Sequence, residues 1–210
     1  MKTPLTSIGI YIEMLLENYA QSEDTFLSSS LDTVHNQLKN LSELLNNLLD
    51  VTRIDTHRFV LNRKEFDLAV LIHESAKIMQ PTTSHKVIVT GAQHCNVYAD
   101  KEKLNQVFLN LLTNAIKYSP MAEKVLINIA TDNNSVTVSV QDFGIGIQSE
   151  YLDKIFERFY RVEGQTEKTF AGFGIGLYIA AEIVKQHNGT INVHSEKGKG
   201  STFYFTMPKL

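Results

Sequence analysis

Residues 100–118 read DKEKLNQVFLNLLTNAIKY. Val107, Phe108, Leu111, Leu112, Ala115 and Ile116 recur at the three- and four-residue steps of one helix face. Asp100 stands where an N-cap belongs. The spacing predicts a helix over 100–118 with an apolar side toward a core. Asn110 and Asn114 share another face at i, i+4, and Lys117 follows one turn later. Asparagine is a poor helix former, so two of them on one face need a reason. One reading is a ligand site, with amide oxygens for Mg²⁺ and a lysine for a phosphate. The other is a solvated polar stripe, and spacing alone leaves both open.

Downstream, 125–130 (VLINIA) and 135–141 (SVTVSVQ) alternate as strands around a TDNN turn. Asp142-Phe-Gly-Ile-Gly146 follows the second strand directly. Gly-x-Gly lets a backbone approach a ligand closely, and a carboxylate beside it can accept an N–H from an exocyclic amine. Alone it reads equally as an ordinary strand-to-loop turn. Gly172-Phe-Gly-Ile-Gly-Leu177 opens a second helix ending at Asn188-Gly189. A glycine-rich loop running into a helix N-terminus suits an anion. No strand leads into this one, which argues against a dinucleotide fold. The polar stretch 157–171, with Gly164 and Gly172 as hinges, suits a phosphate-covering lid. Strands are further expected at 87–90, 190–195 and 201–207, and a strand entering a helix at 58–67.

Upstream the pattern changes. Leu5, Ile8, Ile12, Leu15 and Tyr19 step by three and four. So do Leu27, Leu31, Val34, Leu38, Leu41, Leu45, Leu48 and Thr52. With Ser22 as an N-cap between them, these predict a helical hairpin. Its stripe is too wide for two helices to cover, which predicts a homodimeric four-helix bundle, the alternative being a hairpin packed only on the rest of its own chain. The chain is therefore read as α+β, with a hairpin over 1–57 and an α/β unit over 58–210.

Composition narrows the function. With 20 Lys+Arg against 23 Asp+Glu, the net charge of −3 marks no nucleic-acid binder. A hydrophobic share of 43% supports a folded core. One cysteine, Cys95, allows no disulfide framework within the chain and suits a reducing compartment. No stretch has the length or apolarity of a bilayer span, and MKTPLTS lacks a signal peptide's apolar run.

In order and spacing, these motifs resemble those of the sensor histidine kinases of two-component signalling. NQVFLNLLTNAIKYSP (105–120) resembles the family's N box, DFGIGI (142–147) its G1 box, IFERFY (155–160) its F box and GFGIGL (172–177) its G2 box. GKGSTFYFTMP (198–208) resembles the strand that lines the nucleotide pocket. The resemblance implies an α/β sandwich of the GHKL (Bergerat) type that binds Mg-ATP. By position, Asn114 is the implied Mg²⁺ ligand, and Asn110 and Lys117 the implied phosphate-side and catalytic contacts. Tyr118 would flank the nucleotide. Asp142 would take the adenine amine, with Thr202 near it through water. Gly144 and Gly146 would line the base pocket. Gly172, Gly174 and Gly176, with Leu177, would form the lid hinge. Phe156 and Phe159 would anchor the lid, chiefly by packing. Related hydrolases carry glutamate where Asn110 stands, and an amide cannot activate water.

The family's hairpin bears a phospho-acceptor in the motif His-Glu-x-(Lys/Arg)-(Thr/Asn)-Pro. Met1-Lys-Thr-Pro-Leu-Thr6 matches only its tail. None of His35, His57, His73, His85, His94, His187 and His194 has the following Glu and downstream Pro. The expectation is a kinase core that binds ATP but does not phosphorylate itself, its acceptor lying two residues before Met1. Thr3 matches the position that orients water where such kinases act as phosphatases, and equally suits a plain helix cap. The implied partners are a second copy and a response-regulator receiver domain. The implied location is cytoplasmic, below a parent anchored in the inner membrane. The alternatives are a GHKL ATPase and a non-catalytic, nucleotide-sensing dimerisation module.

Overall fold

A computed structural model describes residues 8, 10–15, 25–55, 60–162 and 173–210. The chain divides into two compact units, Met1–Arg58 and Phe59–Leu210. In the first, residues 10–15 are helical (α1) and Thr25–Asp55 form a long helix, α2. Val34, Leu41 and Leu48, seven residues apart, are each more than 40% exposed on α2. The expected N-cap at Ser22 lies outside the described residues. No helix among them is long and apolar enough to cross a membrane.

The second unit is an α/β sandwich. Its strands are β1 (Lys64–Asp67), β2 (Lys86–Gly91), β3 (Asn96–Ala99), β4 (Lys124–Thr131), β5 (Ser135–Gln141), β6 (Thr190–Glu196) and β7 (Gly200–Pro208). Its helices are α3 (Leu68–Met79), α4 (Lys101–Lys117) and α5 (Gly176–Gln186). β1 and β3 pair antiparallel. The other five strands form one sheet in the order β2-β4-β5-β7-β6, parallel only at β2–β4. Period-two alternation sorts its faces. Val125, Ile127, Ile129, Val136, Val138, Val140, Phe203, Phe205 and Met207 are buried. Asn128, Thr137, Ser139, Gln141, Tyr204 and Thr206 alternate with them, and the Thr137 and Thr206 hydroxyls bond each other at 2.8 Å. The apolar side of α4, led by Phe108, Leu111 and Leu112, is fully buried.

Several expected elements are adjusted. The strand expected from residue 58 begins only at Lys64, and β3 is additional. Helix α4 begins where expected, because Asp100 Oδ1 accepts Lys103 N–H at 3.1 Å. Helix α5 closes through Asn188 in the left-handed region (φ 58°).

A buried network joins the ends of α4 and α5. His187 Nδ1–H donates to Ile183 O at 2.8 Å, and Nε2 accepts Asp100 N–H at 3.0 Å. Asp100 Oδ2 takes Asn62 N–H at 2.8 Å, and Arg63 donates to Gln186 O. Burial, with Arg63 in support, holds the His187 imidazole below its ordinary value, against the pull of Ile183 and Asp100. A histidine kept neutral by folding contributes stability above its unfolded value, near 6.5. That contribution is lost as pH falls through the lower folded value. The melting temperature is therefore expected to drop between pH 7.5 and 5.5. His187→Gln should flatten the slope by up to about 1.4 kcal/mol per pH unit. Identical slopes in the two proteins would exclude His187 as the titrating group.

Candidate nucleotide site

Two glycine-bearing segments meet α4, the start of α5 at Asn110 and the 142–147 loop at Tyr118, just past its end. Asn110 and Gly176 meet across the α4–α5 contact, where Asn110 Nδ2 donates to Gly176 O at 3.0 Å. A Cβ at Gly176 would lie 2.5 Å from Asn110 Oδ1, so a side chain there would displace the amide. Asn114 is half-buried on the same helix. Lys117 Nζ lies 4.7 Å from the centre of the Tyr118 ring. Tyr118 O accepts Ile145 N–H at 3.1 Å, which docks the 142–147 loop onto the end of α4. A Cβ on Gly144 would stand 2.0 Å from that same carbonyl.

The far side of the loop is held by the β6–β7 hairpin. Gly198 N–H donates to Ile145 O at 2.7 Å, and Ile147 N–H to Ser195 Oγ at 2.8 Å. Gly146 takes φ +62°, and its missing Cβ makes room for Glu196 O. Asp142 sits at the head of this clamped loop and is 3% exposed. Its backbone N–H extends the β5–β7 ladder to Ser201 O at 2.8 Å, and its Oδ1 accepts Gly144 N–H at 2.9 Å. Burial pushes its carboxyl above the ordinary range, while the Gly144 and Ser201 backbones pull the other way. No cation among the described residues pairs with it.

A cavity of about 310 Å³ opens beside Asp142, lined also by Gln141, His194, Ser201 and Thr202. Asn110, Asn114, Lys117, Gly174 and Gly176 do not line it. Thr202, expected beside Asp142, pairs with Gln141 in register and lies on the sheet face of Tyr204 and Thr206. Asp142 continues the face of Val138 and Val140, and across the ladder that face belongs to Ser201. The buried hydroxyl on Asp142's side is therefore Ser201, 7% exposed. Strand alternation carried this distinction in the sequence.

Before the start of α5, Phe159 is in the left-handed region (φ 63°), and its N–H donates to Gly174 O at 2.9 Å. Gly174 has φ +67° and abuts Tyr160 O. Phe156 packs edge-on against Phe203, with centroids 6.3 Å apart, whereas the Phe159 ring is 54% exposed. Phe156 thus packs, and Phe159 holds the glycine loop through its backbone. Leu177 is half-buried in the first turn of α5. Thr3, Gly164 and Gly172 lie outside the described residues. Among those described, no three His, Cys, Asp or Glu side chains cluster as a metal cage. The donors available to a cation here are neutral amides, which suit an ion that brings its own anionic ligands.

Comparison with known proteins fits this geometry. Residues 99–210 match the family described as histidine kinase-, DNA gyrase B- and HSP90-like ATPase. Residues 1–57 match the His Kinase A (phospho-acceptor) domain. The sensor protein kinase WalK of Staphylococcus aureus (strain MRSA252) is 32% identical over 99% of the chain and 35% of its own length. The chain thus spans about a third to a half of the length of the curated relatives it matches. The crystal structure of full-length ShkA in complex with AMPPNP shares the fold at TM-score 0.76 and 23% identity, covering 99% of this chain and 46% of that one. The catalytic domain of histidine kinase ThkA aligns at TM-score 0.61 and 29% identity, over 70% of this chain and 96% of that one. With both family segments matched in order, and the G1 and G2 segments each bonded to the N-box stretch along α4 and its end, the chain belongs to the sensor histidine kinases.

Proposed function

We propose that this chain is the cytoplasmic kinase core of a two-component sensor, with residues 58–210 binding Mg-ATP and residues 1–57 forming the dimerisation and phosphotransfer hairpin. The observation that carries the reading is Asp142. A buried carboxylate without a counter-ion is costly. Its placement in a loop clamped from both sides is intelligible if a ligand's N–H completes it. Adenine's amine fits that demand, beside the cavity bounded by Ser201 and Thr202. Gly144 and Gly146 let the loop lie close to its neighbours, and Tyr118 flanks it. Asn114 would hold Mg²⁺ together with phosphate oxygens, and Lys117 would neutralise phosphate charge. Asn110 both links α4 to the glycine hinge at Gly174, Gly176 and Leu177 and stands where a hydrolase would need a base. Catalysis then rests on positioning and charge neutralisation, with hydrolysis to water slow. Bound Mg²⁺ would supply charge neutralisation on the triphosphate.

The apolar stripe of Val34, Leu41 and Leu48 supports pairing of two hairpins. The phosphoryl group would pass to a hairpin histidine and then to an aspartate of a receiver domain. No histidine of this chain has the acceptor's sequence context, so we place the acceptor upstream of Met1 and Thr3 just after it. The test is γ-labelled ATP given to this chain and to a version extended upstream through the acceptor motif. Acid-labile, base-stable label is expected on the extended protein alone. Label on residues 1–210 would overturn the missing acceptor. Label on neither would overturn the kinase reading in favour of a nucleotide-gated module.

A further inference from the structure

His85 lies in none of the boxes above, and the proposed function makes no use of it. It stands one residue before β2 and is 3% exposed, and its imidazole reaches the end of α4. Nε2 lies 2.7 Å from Ser119 O and 3.2 Å from Ser119 Oγ. A carbonyl oxygen can only accept, so Nε2 bears the hydrogen. Ser119 Oγ gives its own hydrogen to Ala115 O at 2.6 Å, so it too accepts from Nε2. In the neutral imidazole Nδ1 then accepts from Thr83 Oγ1 at 2.9 Å, and Thr83 Oγ1 accepts His85 N–H at 3.1 Å. Gln80 fixes the same backbone, donating to His85 O at 2.8 Å and accepting Val87 N–H at 2.9 Å. The ring is thus held on both sides, with its Nε2 hydrogen aimed at Ser119.

Ser119 is where the 142–147 loop comes to rest. The loop packs so closely that a Cβ on Gly144 would meet both Tyr118 O and Ser119 Cα, and Ile145 N–H donates to Tyr118 O. Gly144 N–H in turn donates to Asp142 Oδ1 at 2.9 Å. Residue 120 is proline, so the helical ladder has no N–H there with which to fix the 118–119 backbone. Ser119 O is held by Ala122 N–H at 2.9 Å and by His85. We infer that His85 is a positioning residue for the nucleotide site: by holding Ser119 from the β2 side, it sets the backbone surface on which the Asp142-bearing loop docks. This rests on the proposed nucleotide reading. Hydrogen bonds weaken steeply as their geometry departs from linear, so a small shift of that surface weakens what Asp142 can bind.

The experiment measures the ATP affinity of the 210-residue chain by calorimetry, well below the melting temperature of every protein compared. The proteins are wild type, His85→Phe and His85→Gln, each with and without Asp142→Asn. His85→Phe keeps a ring but removes both nitrogens, and should weaken ATP binding about fivefold or more, the scale of one neutral hydrogen bond. His85→Gln keeps an N–H near the place of Nε2 and should restore most of the affinity. In the Asp142→Asn background the His85→Phe effect should largely vanish, because the bond it serves is already lost. A merely structural role would lower the melting temperature and leave the affinity of the folded protein unchanged, which would overturn the inference. A glutamine variant as weak as the phenylalanine one would overturn it, as would an equal loss in both backgrounds. Wild type that does not bind ATP would overturn the nucleotide reading itself. If the phenylalanine variant does not fold, His85→Asn, whose shorter amide stays near Thr83 and falls short of Ser119, is read in its place by the same criteria.

Discussion

Asp142→Asn is expected to weaken ATP binding ten- to a hundredfold while leaving the ligand-free protein more stable. The first effect is the loss of a hydrogen bond to a charged acceptor, about 1.5–3 kcal/mol. Asparagine keeps an oxygen for the Gly144 N–H but exchanges the negative charge for an amide. The second effect follows from burial, which raises the carboxyl above its unfolded value. Between the two values the folded state binds the proton more readily than the unfolded state does. Stability therefore falls as pH rises through that window, and the cost is complete above the folded value. The amide carries no such cost. Calorimetric titration with ATP and a nucleotide-free thermal melt read the two effects separately. Unchanged affinity would remove Asp142 from the nucleotide site. A lower melting temperature would mean that the carboxylate is held for structure and not for a ligand.

Gly144→Ala is expected to reduce nucleotide affinity more than a hundredfold. The added Cβ would meet Tyr118 O at 2.0 Å and Ser119 Cα at 2.8 Å, both backbone atoms that no side-chain rotation relieves. The loop must lift from α4, which breaks Ile145 N–H to Tyr118 O and misplaces Asp142. Lost backbone bonds in a half-buried loop cost about 1–3 kcal/mol of stability as well. Gly198→Ala is the control. Its φ of +81° is strained for alanine, but its Cβ meets nothing within 4 Å. It should bind ATP within a few-fold of wild type. Equal losses in the two variants would show general loop destabilisation and refute the specific clamp.

Much of this was legible in the residues. Helix α4 declared itself through its apolar period and the Asp100 cap, both local signals. Strands β4 and β5 did so through alternation. What escaped depends on partners distant in sequence. Strand β3 is four residues long, too short for alternation to stand out, and exists because β1 pairs with it. The run 87–90 could not announce that its partner is β4 and parallel. The Asn110–Gly176 bond spans 66 residues, so spacing within α4 left its polar face ambiguous. The choice between Ser201 and Thr202 was open to inspection, since Phe203, Phe205 and Met207 fix which positions of β7 face inward. Thr202, which the resemblance puts near Asp142, lines the same cavity from the other sheet face.

The order of strands also bears on how the molecule folds. β4–β5 and β6–β7 are local hairpins that close short loops. The β5–β7 seam, which Asp142 N–H to Ser201 O extends, encloses every residue from the G1 loop to the start of β7. Closing so long a segment carries a chain-entropy cost that the hairpins do not bear. The carboxylate at the seam's end is in place only once that closure is complete. A nucleotide held at this carboxylate therefore stabilises only the molecule in which the seam is closed, and it does so by mass action.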